Sequence, residues 1–246
     1  MERNLRAYDR NQPLIVIHVP KAAGVSSQKF FQAWYGDGFL RHYFDEKKGQ
    51  MPQKYDLFRL HSVDMPIVLH GHFNKSRNFG VEDYYPEIKQ FITILRDPFE
   101  LTISHYFFTR KVGSTWKSKT RIPFDDIENY MIKAKPNMLN HFPREVTKYN
   151  YKDIIEEYFI EIGITERLSD SMKWIAYKLN MSFDEGLLGH HNATERDQIV
   201  PGYVRDLFIE NNQLEFDVYN YALERFTQQG APPDDNSGAY PCPPAR

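Results

Sequence analysis

Residues 14–31, LIVIHVPKAAGVSSQKFF, pass from mostly β-branched apolar residues through Pro20-Lys21 and a small-residue turn into an apolar pattern of helical spacing. A short buried strand that leaves through a tight loop into a helix must be followed by a crossover, the connection that parallel strands require. The same alternation recurs downstream. PIVLHGHF (66–73), QFITILRDP (90–98) and EYFIEIGITE (157–166) read as strands. Residues 25–35, 98–110 and 124–134 read as helices, the second opened by Pro98, whose missing N–H is harmless at a helix start. In RLSDSMKWIAYKLN (167–180), Leu168, Met172, Ile175 and Leu179 fall at helical spacing, as do Phe216, Tyr219, Leu223 and Phe226 near the end. The pattern predicts an α/β fold of three layers with a mostly parallel central sheet, and a ligand beyond the carboxyl ends of its strands.

The 246 residues suffice for one such domain, and an apolar share of 41% places the chain among globular proteins. We expect a polar lead-in over 1–12, one domain over 13–229 and a tail over 230–246, where GAPPDDNSGAYPCPPAR holds five prolines. A net charge of −2 argues against nucleic acid as a partner and makes any anion site local. The single cysteine, Cys242, excludes an intrachain disulfide and a cysteine-based metal site. No apolar run approaches the roughly 18 residues of a membrane span. The expected setting is therefore a soluble chain in the cytoplasm.

The loop after the first strand carries the first chemistry. Small residues at Ala22, Ala23 and Gly24 let an anion approach backbone N–H groups at a helix start, where the helix dipole adds positive potential. Lys21 brings a full charge, Val25 follows, and Ser26 and Ser27 bring hydroxyls. The plainer reading is a tight connection with a surface lysine. In either case the order P-K-A-A-G-V-S is not the G-x-x-x-x-G-K-[ST] of nucleotide kinases.

TILRDPFELTISHYFFTRK (93–111) sets Arg96 at the end of a strand, where a guanidinium fork suits a phosphate, and Ser104 about two turns into the following helix. The competing reading is a buried Arg–Asp pair at a strand–helix corner. In LHGHF (69–73), His70 and His72 share one face of a strand. An imidazole is suited to general-base work. Two histidines also suit zinc, but no third ligand stands at a recognisable spacing. RKVGSTWKSKTR (110–121) carries five basic residues and Trp116, reading either as a surface for an acidic sugar or as a solvated loop.

HVPKAAGVSS resembles the 5′-phosphosulfate loop of sulfotransferases that use 3′-phosphoadenosine 5′-phosphosulfate (PAPS), with Ala22, Ala23 and Val25 departing from the family's H-[IV]-P-K-T-G-G-T-S. LRDPFELTIS resembles the family's L-R-[DE]-P-x-E-R-x-x-S, with Leu101 where an arginine is usual. The His-Gly-His is similar to that of heparan sulfate and uronyl 2-O-sulfotransferases. KTRIPFDDIENYM, GITERLSDSM and the segment 190–226 continue the likeness, which spans roughly residues 14–226.

The resemblance implies a P-loop-like fold and in-line sulfuryl transfer to a carbohydrate hydroxyl, with uronic-acid glycans as the acceptor class. It implies PAPS as donor, 3′-phosphoadenosine 5′-phosphate (PAP) as product, and no metal. Lys21 would stabilise the leaving oxygens, and the backbone of 22–27 would hold the 5′-phosphate. Arg96 and Ser104 would hold the 3′-phosphate, with Asn192, Thr194 and Arg196 as further contacts. His72 would be the base and His70 its neighbour, though the two roles can be exchanged. A nucleotide or sugar kinase and a non-catalytic binding relative are the alternatives.

Overall fold

The central strand is the one with no polar residue: Leu14, Ile15, Val16 and Ile17 are all buried, and parallel neighbours flank them on both edges. The structure, a computed structural model, describes residues 5–120, 122–189 and 198–233. In chain order its elements are β1 (Leu14–Ile17), α1 (Gly24–Tyr35), β2 (Phe39–His42), α2 (Leu57–Leu60), β3 (Val68–Gly71), α3 (Val81–Tyr84) and β4 (Phe91–Leu95). There follow α4 (Pro98–Val112), α5 (Ile127–Lys133), α6 (Tyr151–Tyr158), β5 (Phe159–Ile164), α7 (Leu168–Leu179), α8 (Gly202–Asn211) and α9 (Gln213–Gln228). The sheet order is β2-β3-β1-β4-β5, and every pairing is parallel.

Strand alternation divides the apolar residues between two faces. Leu14, Val16, Val68, Ile92 and Ile94 pack under Phe30 and Phe31 of α1 and Met172, Ile175 and Leu179 of α7. Ile15, Ile17, Leu69, Phe91 and Leu95 pack under α6 and α9, through Ile154, Ile155, Val218 and Phe226. A third cluster joins α4, α5 and α8 through Phe99, Ile103, Met131, Val204 and Phe208. The fold is thus the three-layer α/β arrangement that the alternation predicts.

All four expected strands form. The edge strand β2 was not expected, because FLRH is short and only its last residue is buried. The helix α4 begins at Pro98 because the Asp97 carboxylate accepts from the amides of Phe99 and Glu100, at 2.9 and 3.0 Å. The lead-in is fastened to the sheet: buried Gln90 donates to the carbonyls of Asp9 and Gln12, and the Arg6 amide donates to the Phe159 carbonyl at 3.1 Å. Among the described residues, no helix is long and apolar enough to cross a membrane.

Between His70 and His72, at the end of β3, the chain runs hard against β2. A Cβ built on Gly71 would lie 1.9 Å from the carbonyl oxygen of His42, so only glycine fits. Gly71→Ala should lower stability by about 3 kcal/mol or more, since backbone rather than a flexible side chain must yield. Urea unfolding of the variant checks this, and an unchanged midpoint would contradict the close approach.

Candidate functional site

The strand order reverses about β1: β3 and β2 lie to one side, β4 and β5 to the other. The loops that leave the carboxyl ends of β1 and β4 therefore bound a crevice, the usual ligand position in such sheets. The first loop holds Lys21 at φ 71 and Ala23 at φ 56, both left-handed. Such alternation turns successive amides to one side and forms a concave anion nest. The Ala22 amide is bonded to the Val19 carbonyl, and those of Ser26 and Ser27 to the Ala23 carbonyl, each at 3.1 Å. No described residue accepts from the amides of Ala23, Gly24 or Val25. The backbone cradle expected over 22–27 therefore narrows to 23–25, because local turn and helix bonds occupy the other three donors.

Side chains of the loop divide between solvent and interior. Val25 is 65% exposed, whereas Ala22 and Ser27 are buried. The Ser27 hydroxyl points inward and donates to the Gly24 carbonyl at 3.1 Å, so it is not the outward phosphate donor that its place in the loop predicted. The Lys21 ammonium lies 4.1 Å from the centroid of the Phe108 ring on α4. Burial, and then Arg96, hold its pKa below the ordinary lysine value.

Arg96 stands just past the end of β4. Its Nη1 donates to the Lys21 carbonyl at 3.2 Å, and its Nη2 lies 4.0 Å from Glu100. The corner pairing of arginine with aspartate does exist, but its arginine is Arg205 of α8, 2.7 Å from Asp97. Ser104 is buried on α4, one turn from Glu100 and one turn from Phe108, on the stripe that meets Arg96 and Lys21.

Sheet register brings the imidazoles together. Val16 and Arg41 lie opposite His70, so His18, Tyr43, His70 and His72 project from three adjacent strand ends on one face. His18 Nδ1 is 3.1 Å from the Tyr43 hydroxyl, which is 2.8 Å from His70 Nδ1, and His70 Nε2 is 3.3 Å from Ser27 Oγ. The His18 and His72 rings are 4.4 Å apart, and His141 lies 6.3 Å beyond His72. His70 is fully buried, with both nitrogens bonded. His72 is only half-buried as a residue, yet its buried Nε2 has no hydrogen-bond partner among the described residues. Burial lowers His70 to about 3 and His72 to about 4, and drives His18 well below the ordinary imidazole value. The whole group is therefore neutral at pH 7. His18, Tyr43 and His141 were not singled out from the sequence. The parity of 18, 70 and 72 on paired strands was the available signal, but it is readable only once the strand order is known.

The basic segment before α5 spends part of its charge on itself. Lys119 donates to the Gly113 and Ser114 carbonyls, and Lys117 to the Lys48 carbonyl at 3.4 Å. Asn192, Thr194 and Arg196 lie outside the described residues. Among the described residues, no three histidine, cysteine, aspartate or glutamate side chains converge as metal ligands. A cavity of about 540 Å³ lined by Tyr8, Arg10, Trp34 and Asn180 opens at the opposite, amino end of the sheet.

No family model matches the chain, and no curated protein matches it. Among solved structures it is similar to the crystal structure of the mouse sulfotransferase SULT7A1 complexed with PAP, at 12% identity over 90% of each chain with a TM-score of 0.46.

Two outcomes follow from this geometry. A left-handed non-glycine residue costs roughly 1 kcal/mol or more, so Ala23→Gly should raise stability by up to about that amount. Thermal unfolding checks this, and a lower melting temperature would contradict the left-handed backbone. The second concerns pH. The buried imidazoles bind fewer protons folded than unfolded, so their stabilising neutrality is complete above about pH 6.5 and is lost as pH falls toward 4. Glu215, raised by burial to about 8, acts in the opposite sense, but one carboxyl stands against several imidazoles. Urea midpoints should therefore drop between pH 7 and pH 5; a flat or rising trend would refute the neutral cluster.

Proposed function

We propose that the chain is a sulfotransferase that moves the sulfuryl group of PAPS to a carbohydrate hydroxyl, with uronic-acid glycans as the acceptor class. The observation that carries this reading is the meeting of an amide nest, two cations and a neutral imidazole at one crevice. The amides of 23–25 and Lys21 fit a 5′-phosphosulfate. Arg96 and Ser104, on the far wall of the crevice, suit a second phosphate on the same nucleotide. PAPS, when bound, supplies an electrophilic sulfuryl group whose bond to the 5′-phosphate breaks, with the electron pair leaving on the phosphate oxygen. Lys21 stabilises that charge, and pre-set donors in a partly buried site do so with little reorganisation. His72, held neutral and with Nε2 unpaired, takes the proton of the acceptor hydroxyl as its oxygen attacks.

Arg96 also braces the loop, so its removal weakens any anion at the nest. Comparing two ligands cancels that effect. In calorimetric titrations the wild type should bind PAP at least about tenfold more tightly than 5′-AMP, and Arg96→Ala should erase most of the preference. Equal affinity for the two nucleotides in the wild type would remove the sulfotransferase reading and favour a kinase or a binding module. With PAPS and chemically desulfated heparin, His72→Ala should lower kcat by about 10²–10⁴-fold while leaving the PAP affinity nearly intact. Undiminished turnover would sink the role given to His72.

A further inference from the structure

Four hydrogen bonds link α1 to His18, and their protons can be counted. The Gly24 carbonyl has no proton, so Ser27 Oγ donates to it at 3.1 Å. With its only proton committed, Ser27 Oγ accepts from His70 Nε2, at 3.3 Å. His70 is neutral, so a proton on Nε2 leaves Nδ1 bare, and Tyr43 donates to it at 2.8 Å. The Tyr43 oxygen then accepts from His18 Nδ1, at 3.1 Å. The reverse order, with every proton pointing the other way, loses the bond to Gly24 and makes three bonds instead of four.

We infer that His18 is a second proton-accepting residue of the site and Tyr43 its positioning residue: the chain from Ser27 holds the His18 proton on Nδ1 and leaves Nε2 bare. Nε2 is also the ring atom nearest the loop. A Cβ built on Gly24 would lie 1.7 Å from Nε2 and 2.0–2.1 Å from its two ring neighbours. Gly24 therefore packs on the face of the ring beside Nε2, and the in-plane lone pair is directed elsewhere. The bare atom sits at the first residue of α1, next to the amides of 23–25. In a transfer step the hydroxyl O–H bond breaks, its proton forms the new N–H bond on Nε2, and its oxygen keeps the electron pair for sulfur. The resulting imidazolium donates from Nδ1 to Tyr43 more strongly than before. The groups that face His18 are Tyr43 after β2, with Arg41 5.3 Å from its ring, His70 of β3 and His72 just after it, His141 ahead of α6, and Lys21 in its own loop.

The transfer role rests on the sulfotransferase reading; the tautomer does not, and this separates the two in experiment. Long-range proton–nitrogen correlation spectra of the full chain labelled at histidine nitrogen read the tautomer directly, with His18→Gln used to assign the signal. The expected result is an Nδ1–H His18 and an Nε2–H His70 in the wild type. Tyr43→Phe should turn His18 toward the Nε2–H form favoured by free imidazole, while PAP affinity stays within about twofold. With PAPS and desulfated heparin, that variant should lower kcat by at least about tenfold. It should also move the acid limb of the pH profile to lower pH, because the acceptor that favours protonated His18 is gone. A His18 protonated on Nε2 in the wild type overturns the inference, whatever the nucleotide does. An unchanged kcat and acid limb in Tyr43→Phe overturn the proton-accepting role. Failure of the wild type to bind PAP, with His18 found as Nδ1–H, removes the sulfotransferase reading and supports the tautomer alone.

Discussion

The hydrogen bond from Arg96 to the Lys21 carbonyl joins the ends of the two strands between which the sheet changes direction. Much of the site depends on it. A left-handed backbone at both Lys21 and Ala23 is unfavourable on its own, by roughly 1–2 kcal/mol per residue. The bond holds the Lys21 carbonyl beside the end of β4, and the amides of 23–25 that follow have no acceptor among the described residues. The same bond brings a guanidinium to the loop, and the two cations at the crevice oppose each other, which is part of why the Lys21 ammonium is destabilised. The site is thus built with excess positive potential at the place where the backbone presents donors.

Behind the loop lies the opposite solution. A cluster of buried imidazoles tolerates little charge, because desolvation and mutual repulsion both oppose protonation. A neutral imidazole, however, needs one donor partner and one acceptor partner, and a buried one left unmatched is costly. The Ser27–His70–Tyr43–His18 chain meets that demand at both nitrogens of His70 and at Nδ1 of His18 by closing on the Gly24 carbonyl of α1, and leaves Nε2 of His72 unmatched. His42, one residue off in strand parity, faces the other side and stacks on Phe73 at 4.6 Å instead. One residue of register separates a member of the site from a member of the core.

This explains what was legible in the sequence. β1, β3, β4 and β5 are short apolar runs bounded by turn residues, and the loop after β1 and the Arg96 corner announce themselves through small residues, Lys21 and Asp97-Pro98. These are local signals. β2 is not: Phe39–His42 becomes a strand only because β3 offers it a parallel edge. The inward turn of Ser27 was hidden for the same reason, since nothing near it in sequence shows that His70 lies beneath it on the sheet. Tyr43 and His141 likewise enter the site through pairing and packing, not through any motif of their own. The places of the loop and the Arg96 corner were readable from residue types, whereas the meeting of the histidines required topology.

The two halves of the site act on each other through Gly24. An anion on the amides of 23–25 would stand beside the His18 ring that packs on this glycine. At about 6 Å and an effective dielectric near 20, one negative charge favours an imidazolium by about 3 kcal/mol. That equals roughly two pKa units and acts against the depression that burial imposes. In the empty site the imidazoles are poor bases because the protonated form has nothing to stabilise it. An anion in the nest would supply that stabilisation, and its removal would withdraw it. Burial and a bound anion would thus make the proposed proton acceptance at His18 and His72 conditional on what the loop holds, with no movement of the backbone required.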